Sequence, residues 1–384
     1  MARLKPSWQA AFALLLVVLA LILGAMTQPE AEALANPAAG AAYPYLGTKG
    51  VIVGLVGVAA LASMLRLPPF AEALVLFVGA HAAAWLLLTG IGGFEGTAKA
   101  PFYLALTAAW LLGWRCAAVL SAMRPGQRWE RVALNLVVPA LFGLWLLILW
   151  EAVVRGAGIP FILLPPPSAI GARIANSLPT LGEDMRQTIL KSVFIGYIVG
   201  CGAGFAVAIL ADRFLFLRRG LIPIGNMVSA LPIIGVAPIM VMWFGFDWQS
   251  KAAVVIIMTF FPMLVNTVAG LAASGHMERD LMRTYASGYW QTLVKLRLPA
   301  AGPFIFNALK INSTLALIGA IVAEFFGTPV VGMGFRISTE VGRMNIDMVW
   351  AEIAVAALAG SVFYGVVALL ERAATFWHPS MRGR

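Results

Sequence analysis

Residues 276–303, HMERDLMRTYASGYWQTLVKLRLPAAGP, interrupt a chain that is otherwise almost continuously apolar. Glu278, Arg279, Asp280, Arg283, Lys295 and Arg297 crowd into this stretch, and it leads into Leu298-Pro299. Apolar runs flank it on both sides, each near the 20 or so residues that carry a helix across a bilayer. A polar loop this long and this compatible with helix reads as a working element of a helical membrane protein. Composition points the same way. Of 384 residues, 61% are hydrophobic and 11% charged, against about 25% charged in soluble domains.

Working outward from that stretch, ten runs are long and apolar enough to be spans: Trp8–Met26, Gly50–Arg66, Phe70–Ile91, Pro101–Met123, Val132–Val154, Thr188–Ala211, Leu221–Phe244, Lys251–Ala273, Pro303–Phe325 and Met348–Leu370. The first follows Arg3 and Lys5 as a signal peptide would, but its length favours a retained span. Loop charges orient the set. Arg3/Lys5, Arg66, Arg124/Arg128/Arg131, Arg213/Arg218/Arg219, the opening stretch and Arg372/Arg382/Arg384 fall on alternating segments, so these, and both termini, are expected in the cytoplasm. The opposite segments, 155–187 and 326–347 among them, are poorer in Lys and Arg. Residues 27–48 read as a loosely structured outer loop. Ser168, after Pro165-Pro166-Pro167, is expected to N-cap a short surface helix. Gly196, Gly200, Gly202 and Gly204 with Pro223, Pro232 and Pro238 fit close packing and a bending gate equally well.

Several function classes drop out. The excess of 27 Lys and Arg over 17 Asp and Glu is accounted for by basic cytoplasmic loops, not by nucleic-acid binding. Cys116 and Cys201 lie in separate apolar runs and offer neither a disulfide framework nor a metal cluster. No phosphate-binding loop, zinc-protease helix or nucleophile elbow is present, so no cofactor is expected in this chain. His81 is expected to hydrogen-bond between helices, and Lys310 and Arg115 to snorkel toward the cytoplasm.

Within 276–303, D-L-M-x-x-x-A from Asp280 to Ala286 is followed by nine residues and then Leu296-x-Leu298-Pro299. This resembles the cytoplasmic E-A-A-x-x-x-G-(x)9-I-x-L-P loop of binding-protein-dependent ABC importer permeases. Three other segments resemble the nitrate/taurine/sulfonate subfamily in order: ALPIIGVAPIMVMWFGF (230–246), FFPMLVNTVAGL (260–271) and VAEFFGTPVVGMGF (322–335), and LLPPPSAI precedes them. The resemblance covers about residues 160–378. It departs from the pattern at Asp280 for glutamate, at Leu281-Met282 for the two alanines, and at Ala286 where glycine is usual. Gly288, two residues on, is expected to supply the turn instead.

The apolar runs give an all-α integral membrane protein of about ten spans. The resemblance implies that residues 126–384 form a six-helix type I permease core, and it leaves 1–125 uncovered as a four-helix extension. It implies a non-catalytic subunit in the bacterial inner membrane: a homodimer of the permease, two ABC ATPase subunits that bind ATP and Mg, and a periplasmic binding protein delivering a small, anionic or heteroaromatic solute. Asp280, Leu281, Met282, Arg283, Tyr285, Ala286, Gly288, Leu298 and Pro299 would then couple the chain to the ATPase. Polar residues within the core spans, Asn226, Ser229, Asn266, Thr267, Asn312, Ser313, Thr314 and Glu324, are candidates for the translocation pathway, because polar groups in lipid need partners or water. The alternative is a channel or a membrane-embedded enzyme without an ATPase partner.

Overall fold

The computed structural model describes residues 7–36, 43–45, 47–65, 67–229, 231–327 and 330–377, with Ser229 described by its backbone alone. Arg3, Lys5, Arg66, Ala230, Thr328, Pro329, His378, Arg382 and Arg384 lie outside the described residues, as do 37–42 and 46 of the expected outer loop. Among the described residues, regular structure is helical, with one isolated bridge between Thr27 and Ala98. The chain divides into two compact units, Met1–Ile170 and Gly171–Arg384. The boundary expected at 125/126 falls before a long helix that the first unit includes.

The first unit holds α1 (Trp8–Ile22), α2 (Gln28–Ala35), α3 (Thr48–Met64), α4 (Pro69–Ile91), α5 (Ala100–Ala122) and α6 (Arg128–Ala157). Its core is built from small residues such as Ala10, Ala13, Ala80, Ala83, Ala105 and Ala108, all fully buried, while Trp8, Phe12, Trp85 and Phe142 face outward. That arrangement suits a lipid surround, where large apolar side chains gain little by leaving the surface and small ones let helices approach. Three expectations need correction here. Part of 27–48 is ordered: α2 begins where the Thr27 hydroxyl accepts from the Glu30 N–H. Arg115 does not snorkel. It pairs with Glu72 at 2.9 Å, and the Ser63 hydroxyl donates to the same carboxylate at 2.8 Å, because Glu72 is itself buried and needs a cation. His81 bonds within its own helix, Nδ1 lying 2.7 Å from the Phe77 carbonyl, and its ring lies tilted against Trp145, 5.3 Å between centres.

From α7 (Pro167–Asn176) the chain continues through α8 (Leu178–Met185) and a π-helical stretch at Arg186–Val193 into α9 (Phe194–Arg213). Ser168 sits inside α7 and not at its cap. Its hydroxyl donates to Glu151, at 2.7 Å, and Pro167 takes the first helical position, where the missing N–H costs nothing. α10 (Leu215–Ser229) and α11 (Ile233–Phe244) divide the span expected at Leu221–Phe244 into two helices bent by 103°. Pro232 lacks a donor and disfavours helix at Leu231, which accounts for the break.

α12 (Trp248–Ala272) is the spine of the second unit, flanked by α9 and by α15 (Leu298–Glu324). Gly196, Gly200 and Gly204 line the face of α9 against it. A Cβ at Gly200 would sit 2.1 Å from the Thr259 hydroxyl, and one at Gly204 2.4 Å from the Phe260 carbonyl. These glycines therefore serve close packing; Gly202 faces open space. α13 (His276–Thr284), α14 (Tyr289–Thr292) and a π-helical turn at Leu293–Arg297 join α12 to α15, and α16 (Met333–Gly342) and α17 (Ile346–Ala374) complete the unit. Seven helical stretches are long and apolar enough to cross a bilayer, or eight with the bent α10–α11 pair, and α1 and α3 are shorter apolar helices. Together these account for the ten runs read from the sequence.

Candidate functional site

The segment between α12 and α15 is a braced elbow with one face left bare. No residue of α13 is buried. Met277, Leu281 and Tyr285, spaced four apart and so on one stripe of the helix, are 85%, 56% and 76% exposed. Asp280 and Arg283 form an exposed pair at 3.3 Å beside that stripe. The helix is nevertheless held at its start. Glu278 accepts from the Gly275 N–H at 2.7 Å, and Arg279 reaches back to the Ser274 hydroxyl at 2.8 Å and the Ala272 carbonyl at 2.6 Å.

Its end is a Schellman turn. The Ser287 N–H donates to the Met282 carbonyl at 3.0 Å, and the Ala286 N–H to the Arg283 carbonyl at 2.8 Å. Ala286 therefore occupies the left-handed position, with φ of 49°. The expectation that Gly288 makes the turn is overturned. Gly288 has φ −70° and ψ 169°, extended backbone open to any residue, and it precedes α14 with its N–H bonded to Gln291 at 3.2 Å. The bend stays where the family pattern has glycine, and alanine bears the strain.

Beyond the turn the elbow is anchored by residues the pattern did not single out. Arg297 grips Asp212, at the end of α9, through two bonds of 2.6 Å, and also donates to the Leu271 carbonyl at 3.0 Å. The Tyr289 hydroxyl donates to Asp212 at 3.1 Å, and the Arg213 guanidinium lies 5.0 Å from the centre of the Tyr289 ring. The Asp212 side chain is 4% exposed in this grip. One acidic residue beside Arg213, Arg218 and Arg219 was the available signal. Leu298 and Pro299 open α15, proline at the second helical position.

The opposite end of the unit carries a second buried network. Asp184 of α8 accepts from the Gly332 N–H at 2.6 Å and from Arg336 at 2.8 Å. That hydrogen bond raises the Arg336 guanidinium above its ordinary range, against the opposing pull of burial. Glu324 is buried; it accepts from the Thr188 hydroxyl at 2.8 Å and the Gly334 N–H at 2.7 Å, while the Met333 N–H donates to Thr188 at 2.9 Å. Glu352 of α17 is fully buried beside Asp184, and neither of its oxygens accepts from an N–H or O–H donor. This network clasps Gly332 and α16 onto α8 and α15.

The remaining candidates do not converge on one cavity. Asn226 is exposed on α10, and the Ser229 side chain lies outside the described residues. Asn266, half-buried, bonds the Pro262 carbonyl of its own helix at 2.8 Å. Asn312 is fully buried and ties α15 to α12 and α9, donating to the Thr259 carbonyl at 2.8 Å and contacting Cys201 Sγ at 3.2 Å. Thr267 and Ser313 are fully buried, Ser313 bonding the Lys310 carbonyl at 2.7 Å. Thr314 is exposed and lines a shallow groove with Gly360, Ser361 and Tyr364 of α17. Lys310, expected to snorkel, pairs with Glu371 of α17 at 2.7 Å. No group of three or more potential metal ligands occurs among the described residues.

Residues 192–376 match the family described as binding-protein-dependent transport system inner membrane component. The chain is 30% identical over 263 residues to the riboflavin transport system permease protein of Chloroflexus aurantiacus, covering 67% of this chain and 95% of that protein. It is 30% identical over 243 residues to the formylaminopyrimidine transport permease protein of Halalkalibacterium halodurans, covering 62% and 95%, and 24% identical over 243 residues to the taurine transport system permease protein of Escherichia coli, covering 61% and 86%. With its apolar helices and elbowed polar segment, the chain belongs to the family of binding-protein-dependent transport system inner membrane components, as a multi-pass ABC importer permease of the nitrate/taurine/sulfonate subfamily.

Proposed function

We propose that this chain is the membrane-spanning half of an ATP-driven importer that receives a small anionic or heteroaromatic solute from a periplasmic binding protein. It would work as a homodimer on two ABC ATPase subunits, which bind ATP and Mg. Loop charge supports a cytoplasmic position for the α13–α14 elbow and both termini. Residues 126–384 form the transport core in this reading and 1–125 an extension.

The observation that carries the reading is the bare stripe Met277–Leu281–Tyr285 on a segment otherwise anchored at both ends. A helix resting on lipid headgroups would carry a basic excess; here Glu278 and Asp280 offset Arg279 and Arg283. A stripe of this kind fits a groove on a protein. ATPase closure would push α13, and the Arg297–Asp212 grip would pass the displacement to α9 while α15 moves directly. Among the expected pathway residues whose side chains are described, Asn226 and Thr314 are the ones exposed at helix surfaces, and we assign them to the pathway. Asn312, Thr267, Ser313 and Glu324 work as packing and bracing groups in this reading.

Co-purification with the ATPase subunits tests the assignment. Replacing Leu281 or Tyr285 with aspartate is expected to remove an interface anchor worth about 2 kcal/mol, roughly thirty-fold in ATPase affinity. Unchanged transport-coupled ATP hydrolysis in those variants and in Asp280→Ala plus Arg283→Ala would sink the coupling role. For orientation, a cytoplasmic reporter fused after Arg219 should be active; activity of a periplasmic one there would reverse the topology.

A further inference from the structure

Between the end of α5 and the start of α6, within the first unit, lies a cavity of about 600 Å³. Arg124 and Arg131 stand at it, with Ser121 and Asn135, and Leu120, Met123, Leu134, Val138 and Pro139 make its apolar wall. The two arginines take part in none of the ion pairs found among the described residues. The ABC importer reading gives them no task.

The polarity of this cavity is graded along one direction. Arg131, Leu134, Asn135 and Val138 follow one another at helical spacing on one face of α6. The guanidinium therefore lies toward the helix end and the apolar residues lie progressively deeper in the span. Arg124 meets the same space from the chain leaving α5. Trp129, 67% exposed, lies in the first turn of α6, and exposed tryptophan at a span end marks the headgroup level of a bilayer. Two unpaired cations at headgroup depth above an apolar slot match a phosphodiester carrying acyl chains. A free inorganic anion would use the arginines and leave the slot unfilled.

We propose that this cavity is a binding site for one anionic phospholipid, its phosphate between Arg124 and Arg131 and an acyl chain along Leu134, Val138 and Pro139. Basic pockets between spans favour anionic over zwitterionic headgroups, each arginine strengthening the attraction. The site lies between the last helix of the extension, α5, and α6, the first helix of the transport core in the reading above.

The full-length chain purified in nanodiscs of mixed phosphatidylglycerol and phosphatidylcholine provides the test, with bound lipid counted by native mass spectrometry. Wild type should retain phosphatidylglycerol selectively. Arg124→Gln plus Arg131→Gln should lower retention at least about ten-fold, with its melting temperature in pure phosphatidylcholine unchanged, which separates lost binding from lost folding. Arg128→Gln removes an equal charge outside the cavity and should lower retention far less. Equal loss in the Arg128 variant would reduce the effect to bulk charge and overturn the site. Competition by inorganic phosphate at millimolar concentration, or crosslinking of a photoreactive residue at Val138 to protein and never to lipid, would overturn the lipid assignment.

Discussion

Ala286 and Gly288 offer a paired substitution whose two outcomes discriminate between alternative geometries of the elbow. Ala286 has φ of 49° at the C′ position of α13. For an L-residue the left-handed region costs roughly 1–2 kcal/mol. Ala286→Gly removes that strain but gives the unfolded chain more freedom, worth about 0.4–1 kcal/mol. The balance is a gain near 0.5 kcal/mol for closing the turn. Ala286→Val goes the other way, since a β-branched side chain tolerates positive φ worse than alanine does. Gly288→Ala meets extended backbone and open space. Its unfolded-state benefit is offset by the loss of a favourable cap residue, leaving a change of less than about 0.5 kcal/mol.

Hydrogen exchange at the Ala286 and Ser287 amides reads these changes directly, because both donate into α13. Exchange there should slow by about two-fold in Ala286→Gly, quicken in Ala286→Val, and stay put in Gly288→Ala. The reasoning fails if Gly288→Ala quickens exchange while Ala286→Gly leaves it alone. That pattern would place the left-handed turn two residues downstream, where the glycine is.

Three further outcomes are expected. Arg297→Ala leaves Asp212 almost buried against Tyr289 alone, and breaking a pair of this kind costs about 3–5 kcal/mol; denaturation of the purified protein should show it, with Arg297→Lys recovering part because it restores charge but not the two-bond fork. Gly200→Ala places a Cβ against the Thr259 hydroxyl and should destabilise by about 1–3 kcal/mol as overpacking, while Gly202→Ala, facing open space, should be neutral or better by melting temperature. Glu352→Gln supplies a donor toward Asp184 and should keep the melting temperature of wild type, whereas Glu352→Lys, adding a buried cation beside Arg336, should lower it by several degrees.

Most of the fold was legible because lipid imposes a simple rule: a span must be long, apolar and helical. The ten apolar runs all correspond to helices, and the family pattern located the elbow. What stayed hidden is pairing between distant residues. Arg115 and Lys310 look like solvated ends until Glu72 and Glu371 are seen opposite them, since helix packing brings together residues far apart in sequence. Asn312 was read as a pathway residue because a polar group in a span needs a partner. The partner is the Thr259 carbonyl inside a three-helix junction, and the same rule is satisfied by packing. Ala286 shows the converse error. A missing glycine suggested that the turn had moved to the nearest one, yet the hydrogen bonds of the turn are made by backbone, and a strain of a kcal/mol or so is too small to relocate them.

In the proposed coupling role, the stiffness of the elbow would decide how much force it passes on. A hinge would place a permissive glycine at the bend, so that α13 and α14 could reorient at little cost. Alanine in the left-handed position narrows the accessible backbone there, and Arg279 and Arg297 fasten the two sides of the bend to the ends of α12 and α9. In the proposed coupling, a push on Leu281 or Tyr285 would not be absorbed by bending at 286; it would reach α9 through Asp212 and α15 through the helical stretch that begins at Tyr289. Ala286→Gly is therefore expected to steady the turn and yet loosen the coupling, raising ATP hydrolysis per solute moved. A variant more stable in exchange and equally coupled in transport would separate turn stiffness from force transfer, leaving the Arg297–Asp212 grip as the element that carries it.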